Sequence, residues 1–188
     1  VALRHDSFVS LEKFYEMREK SEQLLEYIDG VVYMSPSPST KHQRVLSRLQ
    51  LQFGNFLLDA PCEVFVAPYD IELKSEKIEG NKIVIPDISV ICDKNGFTET
   101  KYIGVPHLIV EILSPSNQSH DLVTKLNLYM KYGVKEYWIV NPMINSVTVY
   151  VLNDAGMYEQ FAVKSEKGKV SSKILNGFHV DLEYIFAT

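Results

Sequence analysis

Two acids stand where acids are costly. Glu111 interrupts the apolar run His107-Leu-Ile-Val-Glu-Ile-Leu-Ser-Pro115, and Asp87 sits inside Ile83-Val-Ile-Pro-Asp-Ile-Ser-Val-Ile91, a stretch otherwise almost wholly apolar and β-branched. An ionised carboxylate is rarely buried without a partner, so each acid demands an explanation and the pair suggests a shared one. If the two runs pair as antiparallel strands with Ile91 opposite His107, then Asp87 falls opposite Glu111 and Ser89 and Ile109 lie between them on the same face. Carboxylates so placed, with Cβ atoms ~5 Å apart, repel one another unless a cation lies between them. Hard oxygen donors of this kind suit Mg²⁺ or Mn²⁺ better than zinc.

A third group is Lys125, on a helix expected from about His120 to Tyr132 and closed by Gly133. Its neighbours Leu122, Leu126 and Tyr129 form an apolar side, along which the lysine stem can pack while the ammonium reaches a strand. The plainer alternative is a surface pair with Asp121, four residues earlier. Plain alternatives exist for the acids as well. Glu111 can be a structural acid neutralised by a buried base, and Asp87 can cap backbone amides after Pro86.

The surrounding elements follow from period and punctuation. Ser10 is a plausible N-cap for a first helix to about Ser21. Leu24–Ile28 and Val31–Met34 flank Asp29-Gly30, a tight-turn signal between apolar runs. Ser35-Pro-Ser-Pro-Ser39 leads into a helix from about Thr40 to Leu58, with Val45, Leu49, Phe53 and Phe56 as its apolar stripe. Strands are expected near 63–67, 69–74, 136–140, 146–152 and 158–163, with a helical turn near Ile185. The order predicts an α/β domain with a mixed sheet, helices on its faces and a β-rich C-terminal section.

At 188 residues, 46% of them hydrophobic, the chain is long enough for one core and is expected to form a single domain. No apolar run reaches the ~18 residues of a membrane span, and the opening Val1-Ala-Leu-Arg-His-Asp-Ser7 lacks a secretory core, so a cytoplasmic protein without a membrane partner is expected. Cys62 and Cys92 lack metal-ligand spacing and read as buried free thiols. A net charge of −5 argues against nucleic-acid binding through general surface electropositivity. No GxSxG elbow or Cys/His pairing supports a nucleophile.

Pro86-Asp87 followed by Glu111-Ile-Leu113 resembles the PD-(D/E)XK nuclease signature, with Leu113 in the place of its lysine. The longer segments "LLEYIDGVVYMSPSPSTKHQR", "IVIPDISVI" and "HLIVEILSPSNQSHDLVTKLNLYMKYGVKEYWIVNP" resemble the Uma-type (Uma-two family) restriction endonucleases, in which the lysine has moved to the following helix, the position of Lys125. The resemblance implies a restriction-endonuclease-like core and metal-dependent hydrolysis of DNA phosphodiester bonds. Asp87, Glu111 and the Ile112 carbonyl would hold Mg²⁺ or Mn²⁺, and Lys125 would meet the phosphate or the attacking water.

Glu26, in the Glu-x-x-Asp-Gly turn, and His42 match family positions near that site. Glu26 can equally bond turn amides, and His42 lies on its helix's apolar stripe, where a core histidine is as natural. Lys41, Arg44 and Arg48 share one helix face and are candidate phosphate contacts or simply a solvated face. A homodimer is left open. Two other classes compete: a degenerate nuclease fold serving as a binding or interaction module, and a metal-dependent hydrolase of a smaller phosphate or nucleotide.

Overall fold

The structure, a computed structural model, describes residues 8–35, 37–115 and 120–187, and of residues 120 and 121 the backbone alone. Asp121, the alternative partner for Lys125, therefore lies outside the described side chains.

Helix α1 (Leu11–Lys20) begins at Ser10, whose hydroxyl accepts the Lys13 amide, as the cap rule predicts. Strands β1 (Leu24–Ile28) and β2 (Val31–Ser35) form the expected hairpin, with Asp29 and Gly30 both at positive φ. Helix α2 (Thr40–Leu57) is capped by Ser39. Its buried stripe is Val45, Leu46, Leu49, Phe53 and Leu57; Phe56, expected inside, is 41% exposed because Leu57 takes the inward position of the last turn.

Strands β3 (Glu63–Val66), β4 (Asp70–Ser75), β5 (Ile78–Val84) and β6 (Ile88–Ile91) follow. The run 83–91 is thus two strands. Proline has no amide to give a ladder, and the chain leaves one sheet and enters another around Pro86. A short β7 (Lys101–Ile103), unforeseen in the polar stretch 92–106, precedes β8 (Leu108–Ile112). A π-helical stretch, His120–Lys125, runs into α3 (Leu126–Tyr132), which ends at left-handed Gly133 (φ 86°). The remainder is β9 (Glu136–Asn141), β10 (Ser146–Leu152), β11 (Tyr158–Ser165), β12 (Lys169–Ser171), β13 (His179–Asp181) and α4 (Leu182–Phe186).

The single mixed sheet of the sequence reading resolves into two, because β5 and β6 part company. One has the order β2-β1-β5-β4-β7 and the other β11-β10-β9-β8-β6-β3, with β12 and β13 a separate ribbon. Both main sheets are mixed, since β4 pairs parallel with β7 and β8 parallel with β9. Alternation along β6, β8 and β9 sends Ile88, Val90, Leu108, Val110, Trp138 and Val140 into one apolar cluster with the α2 stripe. The opposite residues Ile91, Ile109, Tyr137 and Ile139 join α3 and the inner residues Ile71, Leu73 and Val84 of the first sheet. Phe14 of α1 closes the outer face of that sheet with Leu25, Tyr27 and Val32. No helix among the described residues is long and apolar enough to cross a membrane.

Cys62 and Cys92 are not free thiols: they form a disulfide. The β3–β6 ladder pairs Glu63 with Ile91, which sets the two cysteines opposite each other just beyond it.

A buried acid of a purely structural kind sits on β9. Glu136 is fully buried, and accepts Trp138 Nε1 at 2.5 Å and the amides of Lys173 and Ile174 at 2.7 and 3.0 Å, which docks the C-terminal segment. Burial pushes the Tyr158 phenol up, and the Glu136 charge adds to that rise. Replacing Glu136 by Ala strips these three donors of their acceptor, and urea unfolding should record a loss of about 3 kcal/mol; an unchanged midpoint would show that the amides find other acceptors.

Candidate active site

The ladder between β6 and β8 pairs Ile88 with Val110, Ser89 with Ile109 and Val90 with Leu108. Continued by one residue, that register puts Asp87 opposite Glu111, with Ser89 and Ile109 between them and Ile91 opposite His107. Both acids line one cleft of about 280 Å³, together with His42, Gln43, Ser35, Ser114, Ile112, Lys125 and the apolar Leu24, Leu46 and Ile85.

Asp87 stands at the mouth of the ladder and is partly exposed. Its Oδ2 accepts the Ile112 amide at 2.7 Å, and its Oδ1 lies 3.3 Å from His42 Nε2. The backbone-capping contact considered for this residue therefore exists, across the sheet, and occupies one oxygen while the residue still lines the cleft. His42 is buried on the α2 face as its stripe position requires, yet its ring meets an acid as well as the core.

Glu111 is only 3% exposed and Lys125 only 4%. Lys125 Nζ lies 2.8 Å from Glu111 Oε1 and 3.0 Å from Glu26 Oε1. The lysine thus projects from its helix into the site, and the surface pairing weighed for it is ruled out by burial. Glu26 comes from the other sheet. On β1, Leu25 and Tyr27 point to α1, so Glu26 between them points inward, where its Oε1 also accepts the Ile85 amide at 2.7 Å. Its anchoring amide belongs to the chain just after β5, not to its own turn.

The Tyr129 hydroxyl donates to Glu111 Oε1 at 2.8 Å. The sequence marked Tyr129 as an inward position but not as a polar one; the usable signal was its spacing of four from Lys125, which puts both on one helix face. Gln43 and Ser114 also went unnoticed, since nothing in their local pattern sets them apart.

The basic face of α2 does not join the cleft. Lys41 Nζ meets Asn145 Oδ1 at 3.1 Å. Arg48 binds the carbonyls of Ile185, at 3.3 Å, and of Ala187, and lies over the Tyr184 ring. Arg44 borders a separate groove with Lys41, Ile185 and Phe186. Of the four anticipated nucleic-acid contacts only His42 lines the cleft.

A family model described as "Putative restriction endonuclease", Uma2, matches residues 11–183. The chain belongs to the Uma2 family. An uncharacterised relative, slr1290 of Synechocystis sp. (strain ATCC 27184 / PCC 6803 / Kazusa), is 30% identical over 149 residues, covering 79% of this chain and 76% of its own. A crystal structure described as a putative nuclease belonging to DUF820, from Anabaena variabilis ATCC 29413, superposes with a TM-score of 0.76 at 22% identity, over 95% of this chain and 97% of that one. At that identity the likeness is one of fold, and the Uma2 chain described here shares that mixed α/β architecture.

Lys125→Met keeps most of the stem but removes the cation shared by two buried carboxylates. Urea unfolding should register a loss of about 3 kcal/mol, and a loss below ~1 kcal/mol, the size of a surface pair, would contradict the buried geometry.

Proposed function

We propose that this Uma2 protein is a Mg²⁺- or Mn²⁺-dependent endonuclease that hydrolyses DNA phosphodiester bonds. The observation that carries the reading is the convergence, in one cleft, of two acids from adjacent strand ends and a buried lysine from a helix. The family description supports nuclease activity.

The donor set suits a hard cation. Among the described residues no group of three or more His, Cys, Asp or Glu assembles that could hold a metal by itself. Mg²⁺ does not need one: it keeps several waters and is commonly held by one or two carboxylates plus substrate phosphate. Asp87, Glu111 and the Ile112 carbonyl would hold it. Bound there, the cation supplies Lewis acidity to the phosphate and a more acidic water.

The chain's own groups do the rest. The Lys125 ammonium places positive charge where the phosphate gains negative charge, or orients the attacking water. Glu26 holds that ammonium in the site, and His42 braces Asp87. A second reading, a nuclease fold kept as a binding module, is favoured by the net charge of −5 and by the engagement of Lys41 and Arg48 within the chain.

Calorimetric Mn²⁺ titration and plasmid nicking separate the two. The nuclease reading expects metal binding and nicking in the wild type, both lost in Glu111→Gln and Asp87→Ala, and nicking lost on chelation. Lys125→Met should lower turnover about 100-fold while Mn²⁺ affinity stays within about threefold, because a transition-state contact acts on rate. Equal residual cutting by wild type and Glu111→Gln would assign the activity elsewhere, and a wild type that takes no metal would favour the binding module.

A further inference from the structure

Glu111 Oε1 accepts two donors of different kinds. Lys125 Nζ and the Tyr129 hydroxyl each lie 2.8 Å from it. Lys125 borders the cleft and is shared with Glu26, whereas Tyr129 is fully buried and does not line the cleft. The Tyr129 ring is held edge-on to Tyr137, with centroids 5.2 Å apart at 70°, inside the cluster that includes Ile109 and Ile139. The hydroxyl is therefore aimed by packing.

The difference matters once the lysine has work to do. An ammonium carries three donors, and a contact with a phosphate or a water draws its charge away from Glu111 and Glu26, which weakens the bonds that compensate a buried carboxylate. A neutral donor that stays behind removes that obstacle.

We propose that Tyr129 is a positioning residue whose hydroxyl holds Glu111 Oε1 in place while the Lys125 ammonium divides its donors between the acids and the substrate. The substrate in this statement rests on the nuclease reading; the sharing of Glu111 Oε1 by an ammonium and a hydroxyl does not.

The test is a double-mutant cycle of Tyr129→Phe and Lys125→Met, read as urea unfolding midpoints in metal-free buffer, then repeated in a Glu111→Gln background. Either variant alone leaves Oε1 one of these two donors, so the double variant should lose more than the two singles together. That excess should vanish with Glu111→Gln, which no longer carries the charge. A double variant that fails to fold while both singles fold counts as the same excess, and Glu111→Gln should then rescue it. Additive losses, or an excess that persists in the Glu111→Gln background, overturn the proposal.

A second arm reads function. Tyr129→Phe should lower kcat about tenfold with KM for DNA within about twofold, and should weaken Mn²⁺ binding in calorimetry. Wild-type rates and affinity in a folded Tyr129→Phe protein would also overturn the proposal. If the wild type neither binds Mn²⁺ nor cuts DNA, the nuclease reading fails, and the stability cycle alone decides whether Tyr129 positions Glu111.

Discussion

The rest of the site depends on one buried ammonium. Lys125 Nζ lies between Glu26, from the sheet that carries the N-terminal hairpin, and Glu111, from the sheet that carries the C-terminal strands. Its positive charge faces both carboxylates at once, so the inner approach of the two sheets at this point depends on the helix that delivers the lysine. Stability does not account for the arrangement. A buried ion cluster of this kind can usually be replaced by apolar residues of similar volume at no net cost, and the surroundings, Ile109, Leu113, Leu128 and Ile139, are already apolar. Charges retained in such a place fit the catalytic reading proposed above.

How much of this was legible depended on the range of the contact. Asp87 and Glu111 could be paired from sequence because strand alternation has a period of two and one assumed register fixes every later pair; the observed ladder has that register. Helix caps at Ser10 and Gly133 were equally local and equally readable. The break at Pro86 was not, since an apolar run does not state which sheet it belongs to. The Cys62–Cys92 disulfide escaped for a related reason: the residues are 30 apart, and their apposition follows only from the β3–β6 register, which nothing local announces. Glu26 was noticed through a turn motif, but its inward aim comes from Leu25 and Tyr27 facing α1, a fact of tertiary packing.

Helix α2 shows how one period can separate two roles. His42, Val45 and Leu49 lie on the buried stripe, and at the start of that stripe His42 reaches Asp87. Lys41, Arg44 and Arg48 lie one position away on the same turns and face the C-terminal segment, where Arg48 satisfies carbonyls at the end of α4 that the helix itself cannot. The basic face is thereby drawn partly into the fold. In a chain of net charge −5 this leaves the cleft to rely on its own few charges.

The place of Leu113 explains why the lysine comes from a helix. Two residues beyond Glu111, it points to the same side of the sheet, and there it is buried in the cluster with Ile109, Tyr129 and Ile139. A lysine at that position would have to carry its charge through the most apolar part of the inter-sheet layer. Lys125 comes instead from the helical stretch, buried, with its ammonium 2.8 Å from Glu111 and 3.0 Å from Glu26. The acids are then indexed by the β6–β8 register and the lysine by helix packing, two independent constraints. Tyr129 ties them together, because one side chain of that helix both packs the layer and bonds Glu111. The lysine can therefore sit on a separate element without losing its alignment to the strands.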